Sequence, residues 1–228
     1  MRKIILLSVL CLPLFYGCNK SGNVCSRMDD KVFKQYCCDK FDKNKDGKVS
    51  VEEANAVDSI NVDSAGITSL KGIEYFPALK SLKCTKNKLT TLDISKNTAL
   101  KQLICNDNKL IALDVSLDTA LTVLCCSVND ITTLDVSKNP ALESLNCSKN
   151  KLTSLDISKN TALTNMDCSH NELTTLDVSR NTALDIVYCN NNPNLATLWL
   201  KTNQEFKKFC FDKDSSIIKY KRIFIRQL

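Results

Sequence analysis

Ala78 to Thr182 reads ALKSLKCTKNKLTTLDISKNT, ALKQLICNDNKLIALDVSLDT, ALTVLCCSVNDITTLDVSKNP, ALESLNCSKNKLTSLDISKNT and ALTNMDCSHNELTTLDVSRNT, a 21-residue unit in five copies without a gap. A fixed period in the twenties defines a solenoid, because each copy can bury its apolar face only against its neighbours. Such a molecule offers a long surface rather than a pocket. Leu82 and Cys84 are two apart, so on a strand both point to one side. Stacked copies place these strands about 4.8 Å apart in a parallel sheet.

Two columns follow from that stacking. Cys84, Cys105, Cys126, Cys147, Cys168 and Cys189 fall at one phase and read as a buried small hydrophobe. In-register parallel side chains point the same way rather than at each other, so these thiols are expected to stay reduced. Asn87, Asn108, Asn129, Asn150, Asn171 and Asn192 stand where the chain turns a corner, and a buried carboxamide there can satisfy both a donor and an acceptor. The second half of each copy, as in Leu92-Asp93-Ile94-Ser95, also alternates, which predicts extended structure on the opposite side rather than a helix. Asp93, Asp114, Asp135, Asp156 and Asp177 would form an outward carboxylate row, offset by Lys96, Lys138, Lys159 and Arg180. Bound cations along that row are the sharper alternative to a solvated charged face.

The pattern L-x-x-L-x-C-x-x-N-x-L, first seen at Leu79 to Leu89, resembles the leucine-rich repeat consensus with Cys replacing one Leu. The layout resembles internalin-type leucine-rich repeat proteins of bacterial cell envelopes. It implies a right-handed leucine-rich repeat solenoid of the α/β horseshoe class, dominated by parallel strands, over residues 58–203, with capping strands over 204–228. Ile60-Asn61-Val62, Ile67 and Leu70 form a divergent opening copy. Pro193-Asn194-Leu195 adds one residue, so Phe211 inherits the inward place and Cys210 faces outward. The strand-like tail from Ile217 carries Lys219, Lys221, Arg222 and Arg226, which would protect an open sheet edge.

One chemical motif precedes the repeats. Asp42-Lys43-Asn44-Lys45-Asp46-Gly47-Lys48-Val49-Ser50-Val51-Glu52-Glu53 satisfies D-x-[DN]-x-[DN]-G-x5-E and resembles an EF-hand calcium loop. The resemblance implies one structural Ca2+, held by side-chain oxygens of Asp42, Asn44 and Asp46, the Lys48 carbonyl, Ser50 and both oxygens of Glu53, with Gly47 allowing the turn. Val32, Phe33, Tyr36, Cys37 and Phe41 recur at helical spacing before it, and Glu52 to Val57 would begin a helix after it. Residues 30–57 thus read as a helical cap, with three loop lysines weakening the site. Cys25 could form a disulfide with Cys37 or Cys38, and the sequence does not choose between them.

At the N-terminus, Arg2 and Lys3 precede an apolar stretch, Ile4 to Tyr16, then Gly17, Cys18 and a polar run. The stretch is short for a membrane span. It resembles a bacterial lipoprotein signal over residues 1–17, which implies acylation of Cys18, a linker over 18–29 and an outer-membrane lipid anchor on the periplasmic or cell-surface side. A plain cleaved signal or an uncleaved anchor is the other outcome, and each exports the chain.

The net charge of +6 falls to +4 without Arg2 and Lys3, too small and dispersed for a nucleic-acid partner. Catalytic signatures such as H-E-x-x-H, G-x-S-x-G and glycine-rich phosphate loops are absent, and His170 reads as a surface residue. No enzymatic activity is expected. Outward on the cysteine-bearing strands stand Lys83, Ile104, Cys125, Asn146, Asp167 and Tyr188, beside Ser81, Gln102, Val123, Ser144, Asn165 and Ile186. These positions vary while their neighbours repeat, so they are free to recognise a ligand. Tyr188, Ile186, Ile104, Val123, Cys125 and Asp167 are the candidate contacts, with Tyr188 first as an aromatic anchor. A protein partner is expected. The alternatives are a glycan, or a structural spacer with no specific ligand.

Overall fold

The computed structural model describes residues 22–212 and 217–221. The leader, Cys18, Arg222 and Arg226 lie outside the described residues. The chain winds as a leucine-rich repeat solenoid. Its first sheet has eight parallel strands. They are β1 (Ser59–Asn61), β2 (Ser81–Lys83), β3 (Gln102–Ile104), β4 (Val123–Cys125), β5 (Ser144–Asn146), β6 (Asn165–Asp167), β8 (Ile186–Tyr188) and β10 (Lys208–Cys210). A second, three-stranded sheet joins β7 (Thr175–Asp177), β9 (Thr197–Lys201) and β11 (Ile218–Lys221) on the opposite side. The second half of each of the five copies is not helical, and it forms a strand only in the last of them, at β7.

Register follows the repeat. Leu82, Leu103, Leu124, Leu145, Met166 and Val187 pair in sequence across the first sheet. After the inserted residue Ile186 pairs with Lys208 and Tyr188 with Cys210, so Cys210 lies on the outward column and Phe211 packs against the core.

All six column cysteines are fully buried free thiols. Burial pushes the Cys84, Cys126 and Cys189 thiols up to about 12, and those of Cys105, Cys147 and Cys168 well above their ordinary value. They are inert packing groups.

The Asn column stitches coil to coil. Asn129 donates through Nδ2 to the carbonyls of Cys105 and Cys126, both at 3.1 Å, and accepts from the Leu110 N–H at 3.0 Å. Asn108, Asn150 and Asn171 repeat the same three bonds. Just before each rung the backbone turns through the left-handed region, at Lys86, Asp107, Val128, Lys149, His170 and Asn191. His170 is one of these corner residues, exposed, with Nε2 3.1 Å from Nδ2 of Asn191.

A second polar ladder was not anticipated. Asn97, Asn139, Asn160 and Asn181 are fully buried on the far side of the coil. Each Nδ2 donates to two carbonyls of the preceding coil, as Asn160 does to Val136 and Asn139, both at 2.8 Å. Their Oδ1 atoms have no partner, a tolerable arrangement because an orphaned acceptor costs less than an orphaned N–H. Gln204 closes the ladder on the Asn181 carbonyl at 3.0 Å. The signal was the N in S-K-N-T, a polar residue fixed in phase like that of the first ladder.

The helical segment packs on the first coil. α1 (Lys31–Phe41) is capped by Asp30, whose Oδ1 accepts from the N–H groups of Val32 and Phe33. Its Oδ2 accepts from Thr68 N and Oγ1 at 2.8 and 2.9 Å, tying the helix start to the solenoid. Phe41 lies against Phe76 and Tyr36, and the Tyr36 hydroxyl accepts from Asn61 N. Gly72, at φ +105, passes so close to Met28 that a Cβ would sit 2.5 Å from its Cγ. Val32, read as part of the apolar helix face, is 48% exposed. The inward stripe is Phe33 and Cys37, flanked by Tyr36 and Phe41.

Candidate functional site

The loop between α1 and α2 (Val51–Asn55) carries the calcium-motif residues. Oxygens of these side chains turn onto the loop's own backbone. Asp42 accepts from Asp46 N at 3.2 Å and Gly47 N at 2.8 Å. Asn44 Oδ1 accepts from Asp46 N, and Asp46 Oδ1 from Lys48 N. Glu53 uses both oxygens: Oε1 takes the N–H groups of Lys43 and Asn44, and Oε2 takes Ser50 N and Oγ. The Ser50 and Glu53 pair also forms a capping box for α2. The Ser50 backbone N–H, ahead of those of Lys43 and Asn44, holds the Glu53 carboxyl below its ordinary range.

The donor set is all oxygen, as a hard cation needs. Gly47 is at φ +80 with open space where a side chain would stand. Val49 is fully buried, and its carbonyl and N–H bond Val24 N and Asn23 Oδ1. Among the described residues no three His, Cys, Asp or Glu side chains converge tightly enough to hold a metal ion. The loop carboxylates are instead satisfied by neighbouring N–H groups.

Near this loop Cys25 is buried and its thiol is pushed up to about 12, by burial first and then by its hydrogen bond to Cys38. Cys25, Cys37 and Cys38 are free thiols, and Cys38 is the hydrogen-bonded neighbour.

The outward columns of the first sheet fall into two spots. Ile104 pairs with Cys125 and Gln102 with Val123, giving an apolar spot on β3 and β4. Ile186 and Tyr188 on β8 pair with Lys208 and Cys210 on β10. The Lys208 Nζ lies 4.9 Å from the Tyr188 ring centroid, a cation–π contact that holds the ring. Between the spots lie Ser144 and Asn146 on β5 and Asn165 and Asp167 on β6. Asp167 Oδ1 accepts from Ser169 N at 3.0 Å and Oγ at 2.6 Å. β4 and β8 are three strand spacings apart, about 14 Å.

The carboxylate row on the far side works differently from expectation. Asp93, Asp114, Asp135, Asp156 and Asp177 each accept, through Oδ1, from the N–H of the serine two residues on, at 2.8–3.0 Å. They are turn-forming groups first. Hydrogen bonds to that serine hold Asp93, Asp114, Asp135 and Asp156 below the ordinary carboxylate range, and Lys96, Lys138 and Lys159 add a smaller field at three of them. Among the described residues, Asp93, Asp114, Asp135 and Asp156 form no ion pair with these lysines.

No known family model and no curated protein matches the chain. Solved structures do. The functional domain of InlJ from Listeria monocytogenes, which includes a cysteine ladder, is similar with 29% identity and a TM-score of 0.61 over 86% of this chain. This chain covers 54% of that one, about half its length. Internalin C2 from Listeria monocytogenes is similar in fold at 18% identity and a TM-score of 0.55, covering 90% of this chain and 99% of that one. The fold class is therefore that of the leucine-rich repeat proteins. No helix among the described residues is long and apolar enough to cross a membrane.

Proposed function

We propose that this chain is a non-catalytic binding protein of the bacterial cell envelope, which holds a protein partner on the outward face of its eight-stranded sheet. One observation carries the reading. The outward columns hold non-repeating residues on a scaffold whose buried positions repeat, and they gather Ile104, Val123 and Cys125 into one apolar spot and Ile186 with Tyr188 into another. Two such spots about 14 Å apart suit a protein surface better than a sugar chain, which would want more exposed rings. The similarity to InlJ supports an exported, interacting protein of this type. Acylation at Cys18 would place it on the outer membrane.

The loop from Asp42 to Glu53 is proposed to hold one structural Ca2+ through Asp42, Asn44, Asp46, the Lys48 carbonyl, Ser50 and Glu53. Bound there, the ion supplies a fixed positive centre between two short helices. The residues around it join that loop to the solenoid through Asp30, Tyr36 and Phe41.

The test of the face compares capture of envelope and host surface proteins by the parent and by Tyr188→Ala with Ile104→Lys, alongside a glycan array. A protein captured by the parent and lost in the variant is expected. Equal capture, or binding to glycans alone, would sink the reading. Calcium titration with thermal melting tests the loop. For a dissociation constant of about 10⁻⁴ to 10⁻³ M, 10 mM calcium stabilises by about 1.4–2.7 kcal/mol, abolished in Glu53→Gln. A melting temperature indifferent to calcium removes the ion. Intact mass of the mature N-terminus reads the lipid directly.

A further inference from the structure

The segment that leads into the helical cap meets the last turn of α1 through two sulfur atoms. Cys25 lies in a four-residue 3-10 helix, Val24–Arg27, and Cys38 lies on α1. Their thiols are hydrogen-bonded to each other. Cys37, next along α1, is turned about 100° around the helix axis. It is fully buried on the inward stripe with Phe33. The contact therefore separates two partners for Cys25 that the sequence leaves equal.

The pair stands at a junction. The Val24 N–H donates to the Val49 carbonyl at 2.9 Å, near the exit of the calcium-motif loop. The Cys38 carbonyl accepts from Asp42 N at 3.3 Å, at the loop's entry. Val24, Cys25 and Met28 are buried in the same core as Val49, Ile60 and Ile67, so this segment covers the first-coil end of the solenoid. A 3-10 helix of this length has little stability of its own. Arg27 adds an exposed hydrogen bond to the Tyr75 hydroxyl at 3.0 Å.

We propose that Cys25 and Cys38 are joined by a disulfide in the mature protein, a covalent staple that holds the Val24–Arg27 helix and the loop entry over the first coil. The bond forms during folding, while both sulfurs are open to solvent. One thiolate attacks the S–S bond of a disulfide oxidant and releases one of its thiols. The second thiolate then displaces the other from the mixed disulfide. One S–S bond forms in the chain and one breaks in the oxidant, which leaves with two electrons and two protons as two thiols. Folding then buries Cys25 completely and shields the bond from reductants. Export supplies the oxidising compartment, and only that step rests on the proposed location.

The test is independent of location. The full chain is denatured, reduced and refolded in oxidised and reduced glutathione, then alkylated and mapped without reduction by tandem mass spectrometry. A single cross-linked pair, Cys25 with Cys38, is expected. It should persist in Cys37→Ser and vanish in Cys38→Ser. The oxidised parent should melt about 5–10 °C above the same chain refolded under reductant, in which Cys38 stays open to alkylation. Cys38→Ser should melt at one temperature under both conditions. Fragment ions that join Cys25 to Cys37, cross-links scattered among other cysteines, three free thiols after oxidative refolding, or a parent whose melting ignores reductant would each overturn the proposal.

Discussion

Asp118→Asn is expected to stabilise the protein, and by more at high pH than at low. At the neighbouring rung Asn139 donates to the carbonyls of Val115 and Asp118, both at 2.9 Å. By register the Asp118 carboxyl takes the corresponding place before Ile94 and Asn97. When ionised it faces carbonyl oxygens with no proton to offer, and burial first, then Asp114, raises its pKa from 3.8 to about 7. Folding therefore takes up a proton between those two values. The stability linked to the neutral form is fully present below about pH 4, declines as pH rises, and is gone above about pH 7. Three units correspond to about 4 kcal/mol. Even when protonated, Asp118 has one donor where Asn has two, a difference of about 1 kcal/mol. Urea denaturation of parent and variant at pH 4, 6 and 8 reads the gap directly, because every other titrating group cancels. The variant should lead by about 1 kcal/mol at pH 4 and by about 3–5 kcal/mol at pH 8. A gap that does not change with pH, or a variant less stable than the parent, would refute the assignment of Asp118 to the ladder.

Three other outcomes follow from the same geometry. Val128 is β-branched, sits at φ +54 and is partly exposed, so Val128→Asn should relieve about 1 kcal/mol of backbone strain; no gain in chemical denaturation would count against it. Asn150→Ala orphans the buried Ile131 N–H and leaves the carbonyls of Cys126 and Cys147 with the single donors Asn129 and Asn171, and should cost about 2–3 kcal/mol in the same assay, a loss below about 0.5 kcal/mol contradicting the stitching role. Alkylation of native protein, mapped by peptide mass, should modify Cys38, Cys125 and Cys210 well before the six column thiols; early labelling of Cys147 would show that the column is open.

Repetition explains what the sequence made legible. A position recurring every 21 residues is tested by its neighbours in the stack, so Cys84 and Asn87 could be placed from spacing alone. The added residue before Leu195 could likewise be followed to the pairing of Tyr188 with Cys210. The far side was harder because its geometry depends on a turn rather than a strand. Asp93 reads as an outward charge by alternation, yet its first duty is to accept from Ser95 N, and nothing in a period-two pattern separates those roles. Asn97 was hidden by its company: in Ser95-Lys96-Asn97-Thr98 every residue is polar, as a surface loop would be, and only the closed coil shows one of the four to be fully buried.

The same reasoning locates where recognition belongs in a repeat protein. Positions that repeat are held by the stack, since changing one rung leaves a buried N–H of the preceding coil unmatched, as Ile131 would be without Asn150. A departure is tolerated on the outward columns, where Ile104 and Tyr188 replace Lys83 without disturbing any ladder. A departure inside a ladder is different, because it carries a standing energetic penalty. Asp118 is such a departure, and it coincides with the loss of a lysine at Leu117. The penalty falls on the ionised form, because a protonated Asp118 carboxyl keeps one O–H to offer a carbonyl of the preceding coil, and burial holds the group in that form to higher pH.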